Sequence, residues 1–110
     1  DREFLLLIDE IKREADAFPD KEKTGIYIAS PEYWPMPWYL RDYTSTLYSG
    51  QWPGTVGDAP AISQKIIVAH ADQQSNLNGV PGWRQSPRTY KLRPGVELLL
   101  FVREESAEQK

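Results

Sequence analysis

Ile66, Ile67 and Val68 stand side by side with no polar residue between them. A strand with one wet face alternates apolar and polar side chains, so this run needs apolar cover on both faces. Lys65 to Ala69 is therefore predicted as a central strand. Val96 to Arg103 is a second apolar run, interrupted by Glu97, and Gly25 to Ser30 is a third, stopped by Pro31. A chain with such strands has to fold in layers, with a sheet in the middle.

The sequence also offers cover for that sheet. From Asp1 to Phe18, the residues Phe4, Leu5, Leu7, Ile8, Ile11, Ala15 and Phe18 recur at helical spacing. Charged residues fill the other face, where Asp9 precedes Arg13 by four positions. Pro19 ends the helix, and Asp20 to Thr24 is a polar connector. A second helix can start after Pro37, with proline in its first turn. Thr46 to Ser49 suits a short strand, and Gly50 to Gly57 reads as a loop. Asp72 to Leu77 suits one or two helical turns, and Leu77 to Pro87 is turn-rich. Arg88 to Leu92 pairs with Val96 to Arg103 across Arg93-Pro94-Gly95, a type II turn sequence. Glu104 to Lys110 is a polar tail. The expected fold is α/β and Rossmann-like. It is a single layered domain over residues 1–110, with a mixed, mostly parallel sheet, an antiparallel C-terminal hairpin and flanking helices.

Composition narrows the chemistry. The net charge is -3, which argues against a general nucleic-acid binder. Without cysteine, thiolate catalysis and zinc–thiolate sites are excluded, and a single histidine, His70, excludes a multi-histidine metal site. No metal and no cofactor is expected. No stretch approaches the roughly 20 apolar residues of a membrane span. A chain that opens at Asp1 without methionine is expected to be a processed product or an excised fragment, soluble as supplied.

The aromatic segment stands out. Tyr33, Trp34, Trp38, Tyr39 and Tyr43 fall within eleven residues, framed by Pro31, Pro35 and Pro37 and closed by Arg41 and Asp42. Rings beside an arginine and an aspartate can bind a sugar, stack a base or face a lipid headgroup. The competing reading puts the rings in the core, with Arg41 and Asp42 paired at the helix end.

Other candidates are thinner. His70 falls just past the end of the central strand, where α/β ligand crevices lie. A lone histidine is more often structural, and Asp72 either orients it or caps a helix. Arg84, Arg88, Lys91 and Arg93 form a basic stretch able to meet phosphate, with Arg84, Arg88 and Arg93 as candidate anion contacts, although strand alternation splits the side chains over two faces. The Gly50 to Gly57 loop matches neither the phosphate-binding loop nor the dinucleotide fingerprint. No nucleophile elbow, zincin motif or paired-carboxylate site is present, so no catalytic residue is assigned.

The string Tyr33-Trp34-Pro35-Met36-Pro37-Trp38-Tyr39-Leu40-Arg41-Asp42-Tyr43 resembles one found in a family of large integral-membrane proteins. These are bacterial and archaeal relatives of the dolichyl-phosphate-mannose protein mannosyltransferases, also described as flippase-activity-associated proteins. The opening helix-to-strand segment, Leu5 to Ile28, and the closing Tyr90-Lys-Leu-Arg-Pro-Gly-Val-Glu-Leu-Leu-Leu-Phe-Val-Arg103 fit the soluble C-terminal domain of that family. The resemblance implies an extracytoplasmic domain tethered to a GT-C-type transferase that takes sugar from a polyprenyl-phosphate donor. The family's catalytic acid is expected in the transmembrane part, so none is carried over here, and this piece alone is expected to be inactive.

Three readings follow. In the first, the domain is a non-catalytic accessory of a membrane glycosyltransferase, held at the extracytoplasmic face. It positions a glycan or protein acceptor, or a lipid-linked sugar, through Tyr33, Trp34, Trp38, Tyr39, Arg41 and Asp42. In the second, it is a structural module that docks on its own transmembrane region. In the third, it is a free-standing α/β domain that binds a small ligand or nucleotide near Ser30, His70 and the Gly50 to Gly57 loop.

Overall fold

A computed structural model describes residues 2–56, 59–76 and 80–104. The expectations that fall on Asp1, Gly57, Asp58, Leu77 to Gly79 and the tail from 105 onward lie outside the described residues. Helix α1 spans Arg2–Asp16 and buries Phe4, Leu7, Ile8, Ile11 and Ala15. Leu5, expected in that stripe, is 46% exposed. A turn of 3.6 residues carries it roughly 100° away from Phe4, off the inner face. Past α1, the Thr24 hydroxyl donates to the Ala15 carbonyl at 3.0 Å and satisfies one group of the open helix end. Arg13 pairs with Glu10 at 2.8 Å rather than with the expected Asp9.

The strands are β1 (Ile26–Ile28), β2 (Thr46–Tyr48), β3 (Thr55–Val56), β4 (Ala59–Pro60), β5 (Ile66–His70), β6 (Trp83–Gln85), β7 (Tyr90–Arg93) and β8 (Val96–Arg103). Six of them form one sheet in the order β2-β1-β5-β8-β6, with β7 also paired to β8. Strands β2, β1 and β5 are parallel. Strand β8 runs antiparallel to β5 and pairs along its other edge with β7 and then β6. The domain is thus α/β with a mixed sheet, parallel at one side and antiparallel at the other. Strand β3 lies in the segment read as a loop and β6 in the turn-rich one, while β4 falls where no element is expected, because strands of two and three residues carry too little periodicity to register.

The continuous apolar runs have the cover they require. Ile26, Ile28, Ile66, Val68, Leu98, Leu100 and Val102 face α1 and join Met36, Leu40 and Tyr43 in one cluster. Tyr27, Ala29, Ile67, Ala69, Leu99 and Phe101 face the other way, covered by Val80 and by partly buried Trp52, Ala59, Ile62 and Trp83. Helix α1 therefore covers one face, and loop residues together with Ala59 of β4 and Trp83 of β6 cover the other.

Two glycines are set by geometry. A Cβ on Gly25 would sit 3.0 Å from the Gln64 backbone, where β1 and β5 begin side by side. Gly95 has φ +83, the left-handed conformation that position three of the predicted type II turn demands. The β7–β8 pairing slips between Lys91 and Arg93, just before that turn. At the outer edge of β7, the Lys91 N–H donates to the Glu3 carboxylate at 2.9 Å, so the first turn of α1 caps an otherwise open strand edge.

Chain direction is what creates a site. The link from β1 to β2 runs over the α1 face, since it carries Met36, Leu40 and Tyr43. The link from β2 back to β5 carries Trp52, Ala59 and Ile62 over the opposite face. Strands β1 and β5 are parallel neighbours, so their carboxyl ends lie side by side, and residues just beyond each of them line a crevice.

Candidate functional site

The aromatic segment begins where β1 ends. The Ser30 hydroxyl donates to the Glu32 carbonyl at 2.8 Å and accepts from the Glu32 N–H at 3.1 Å, which fixes a tight turn. The Trp34–Pro35 peptide is cis. Helix α2 is a single turn, Met36–Tyr39, with Pro37 inside its first turn, as the sequence suggests. Met36 and the following Leu40 are buried completely, and this four-residue spacing pins one side of the turn to the core.

The other side faces out. Trp34 is 65% exposed and Trp38 is 60% exposed. Core placement of these two rings is therefore set aside. Arg41 lies over Trp38, with its guanidinium carbon 4.4 Å from the ring centre. Its Nη1 also donates to the Trp38 carbonyl at 2.9 Å. Asp42 beside it is exposed. Tyr39 is 37% exposed and packs edge-on against Phe4, with centroids 5.4 Å apart. Tyr33 turns inward against Tyr48 at 5.1 Å, and burial together with Tyr33 pushes the Tyr48 phenol up to about 12. Tyr43 is buried. Of the six residues named from sequence, the structure thus sets Trp34, Trp38, Arg41 and Asp42 outward, leaves Tyr39 at the boundary and uses Tyr33 as support.

The three arginines named as anion contacts do not converge. Arg84 reaches from β6 to Glu14 of α1 at 3.0 Å. Arg93 pairs with Glu32. Arg88 sits 5.6 Å from the Tyr90 ring centre. Strand alternation and separate partners divide the basic stretch among three places.

His70 is the last residue of β5 rather than the first beyond it, and its side chain is mostly buried. The backbone N–H of Asp72 donates to Nδ1 at 3.0 Å. An N–H can only donate, so Nδ1 is an acceptor, and the neutral ring carries its proton on Nε2. Asp72 thus orients the histidine through its backbone, while its exposed carboxylate stands 3.6 Å from Nδ1. Gln73 went unnoticed in the sequence, where no local signal marks it. Its Oε1 accepts from the His70 N–H at 2.8 Å, and its Nε2 donates to the Ala29 carbonyl at 3.0 Å. It ties the ends of β1 and β5 together across the mouth of the crevice. That crevice encloses about 360 Å³ and is lined by Pro31, Glu32, His70, Asp72, Gln73, Gly95 and Val96.

Among the described residues, no group of three histidine, aspartate or glutamate side chains is placed to hold a metal ion. No described helix is long and apolar enough to cross a membrane. Compared with known proteins, the chain matches no family model, no curated protein and no solved structure.

Proposed function

We propose that this domain is a non-catalytic accessory of a membrane glycosyltransferase, tethered at the extracytoplasmic face. In this role the aromatic turn contacts a lipid-linked sugar or a glycan acceptor, and the transmembrane region of the same protein is its neighbour. The observation that carries the reading is the outward display of Trp34 and Trp38 on a turn anchored by Met36 and Leu40. Indole rings in water lose apolar burial that the core could have supplied, so their exposure on a rigid turn favours a contact role. A ring face takes the CH side of a sugar, while Arg41 and Asp42 supply a donor and an acceptor for hydroxyls. Arg41, already stacked on Trp38, also suits the phosphate of a polyprenyl carrier.

The test is transfer activity of the full-length parent carrying Trp38→Ala and Arg41→Ala. The reading expects folding to be retained and transfer to fall by tenfold or more. Full activity in a folded variant removes the aromatic turn as the contact site.

A further inference from the structure

We infer that the crevice at the carboxyl ends of β1 and β5 is a second binding site, distinct from the aromatic turn, for a small uncharged polyhydroxylated ligand such as a monosaccharide or cyclitol. The inference stands on the crevice alone and does not depend on the role proposed above.

The crevice lies just beyond the carboxyl ends of two adjacent parallel strands, the end of the sheet at which open α/β folds hold their ligands. Its volume of about 360 Å³ falls at the small end of ligand pockets.

Glu32 is held by the Ser30 turn at its backbone and by Arg93 at its carboxylate. His70 is fixed by Asp72 at Nδ1, and Gln73 braces both strand ends. These groups are set without a ligand, so little ordering is left to oppose binding.

Glu32, paired with Arg93, and Asp72 bring to the lining carboxylates that only accept, and His70, whose Nδ1 accepts from the Asp72 N–H, brings a ring whose Nε2–H only donates. A hydroxyl both donates and accepts, so a polyol satisfies both kinds of group. An ammonium ligand would leave the imidazole N–H without an acceptor. A phosphate would meet the unneutralised Asp72 carboxylate and would have to compete with Glu32 for Arg93, which disfavours the nucleotide version of the small-ligand reading. Pro31 and Val96 give the same wall an apolar surface for the CH face of a ring.

The experiment is a ¹⁵N-edited NMR titration of the 110-residue chain with D-mannose, D-glucose and myo-inositol, and with ethanolamine and inorganic phosphate as charged probes. At least one polyol is expected to shift the amides of Glu32, Asp72, Gln73 and Gly95 together with the His70 ring nitrogens, in a saturable way. Asp72→Asn, at a side chain that is 91% exposed and so tolerant of change, should keep the fold and weaken that polyol by about tenfold. Three results overturn the inference: no crevice shift with any polyol, stronger crevice shifts with ethanolamine or phosphate, or unchanged affinity in Asp72→Asn. Shifts confined to the Trp34 and Trp38 indoles would also overturn it, while leaving the aromatic turn supported.

Discussion

The Arg41 guanidinium stacks 4.4 Å from the centre of the Trp38 ring and donates to the carbonyl of the same residue. One side chain thereby holds an exposed indole from above and its backbone from the side. At an exposed position such a cation–π contact stabilises by about 0.5–1 kcal/mol, enough to bias a rotamer but too little to hold a fold. The pair prepares a ring face for contact without burying it.

Arg41→Ala should therefore cost no more than about 1 kcal/mol of stability while releasing the Trp38 ring. Urea unfolding checks the first part. Acrylamide quenching checks the second, with Trp34 and Trp38 accessible and Trp52, packed against Phe101, protected. A large stability loss would mean that the turn is structural rather than displayed.

Tyr43 gives a pH dependence. Burial, with help from the hydrogen bond to Asp16 at 3.1 Å and the charge of that carboxylate, pushes its phenol up to about 12. The folded state therefore favours the neutral phenol. That contribution is whole below the ordinary value near 10 and is lost as pH rises through about 12. Tyr43→Phe should cost about 1 kcal/mol at neutral pH and flatten the alkaline limb of the stability profile. Denaturant melts across that range read both effects.

Glu10 acts in the opposite pH region. Burial, then its hydrogen bond with Glu14 and the Glu14 charge, raise its carboxyl above the usual value against the pull of Arg13 and Arg84. The fold favours the protonated acid, so the contribution is present below about 4.5 and is lost as pH climbs through the raised value. Glu10→Gln should stabilise the protein by up to ~0.5 kcal/mol at pH 7, an advantage that fades in acid. Unfolding compared at neutral and acid pH checks the sign.

Gln73→Ala removes the brace between β1 and β5. The Ala29 carbonyl and the His70 N–H each lose a partner, at a cost of about 1–3 kcal/mol. Hydrogen exchange at the His70 amide should accelerate, while amides in the middle of β8 keep their protection.

Much of this architecture can be read from the chain. Ile66 to Val68 and Leu98 to Val102 announce buried strands because neither run leaves room for a polar face. Phe4, Leu7, Ile8 and Ile11 announce the covering helix by period. Pro94-Gly95 announces the final turn by its φ requirement. Leu5 misleads, because an apolar residue beside the stripe looks like part of it until the helix is placed. Strand β6 escapes notice, because Trp83–Gln85 gains its pairing only from the end of β8, far along the sequence. The aromatic segment is legible as a feature, but not in its orientation. Whether Trp38 points inward or outward depends on Met36 and Leu40 winning the contact with the sheet. The crevice is half legible: His70 at a strand end points to it, whereas Gln73 becomes visible only when β1 and β5 lie side by side.

We propose above that the exposed aromatic turn contacts a lipid-linked sugar or a glycan acceptor. Tryptophan fluorescence of the protein, titrated with nanodiscs carrying a polyprenyl-phosphate mannose and with nanodiscs lacking it, addresses the lipid-linked arm most directly. The account predicts a saturable emission change with the loaded nanodiscs that is at least tenfold weaker in the Trp38→Ala, Arg41→Ala variant. An identical response to loaded and empty nanodiscs, or an undiminished response in the folded variant, would contradict it.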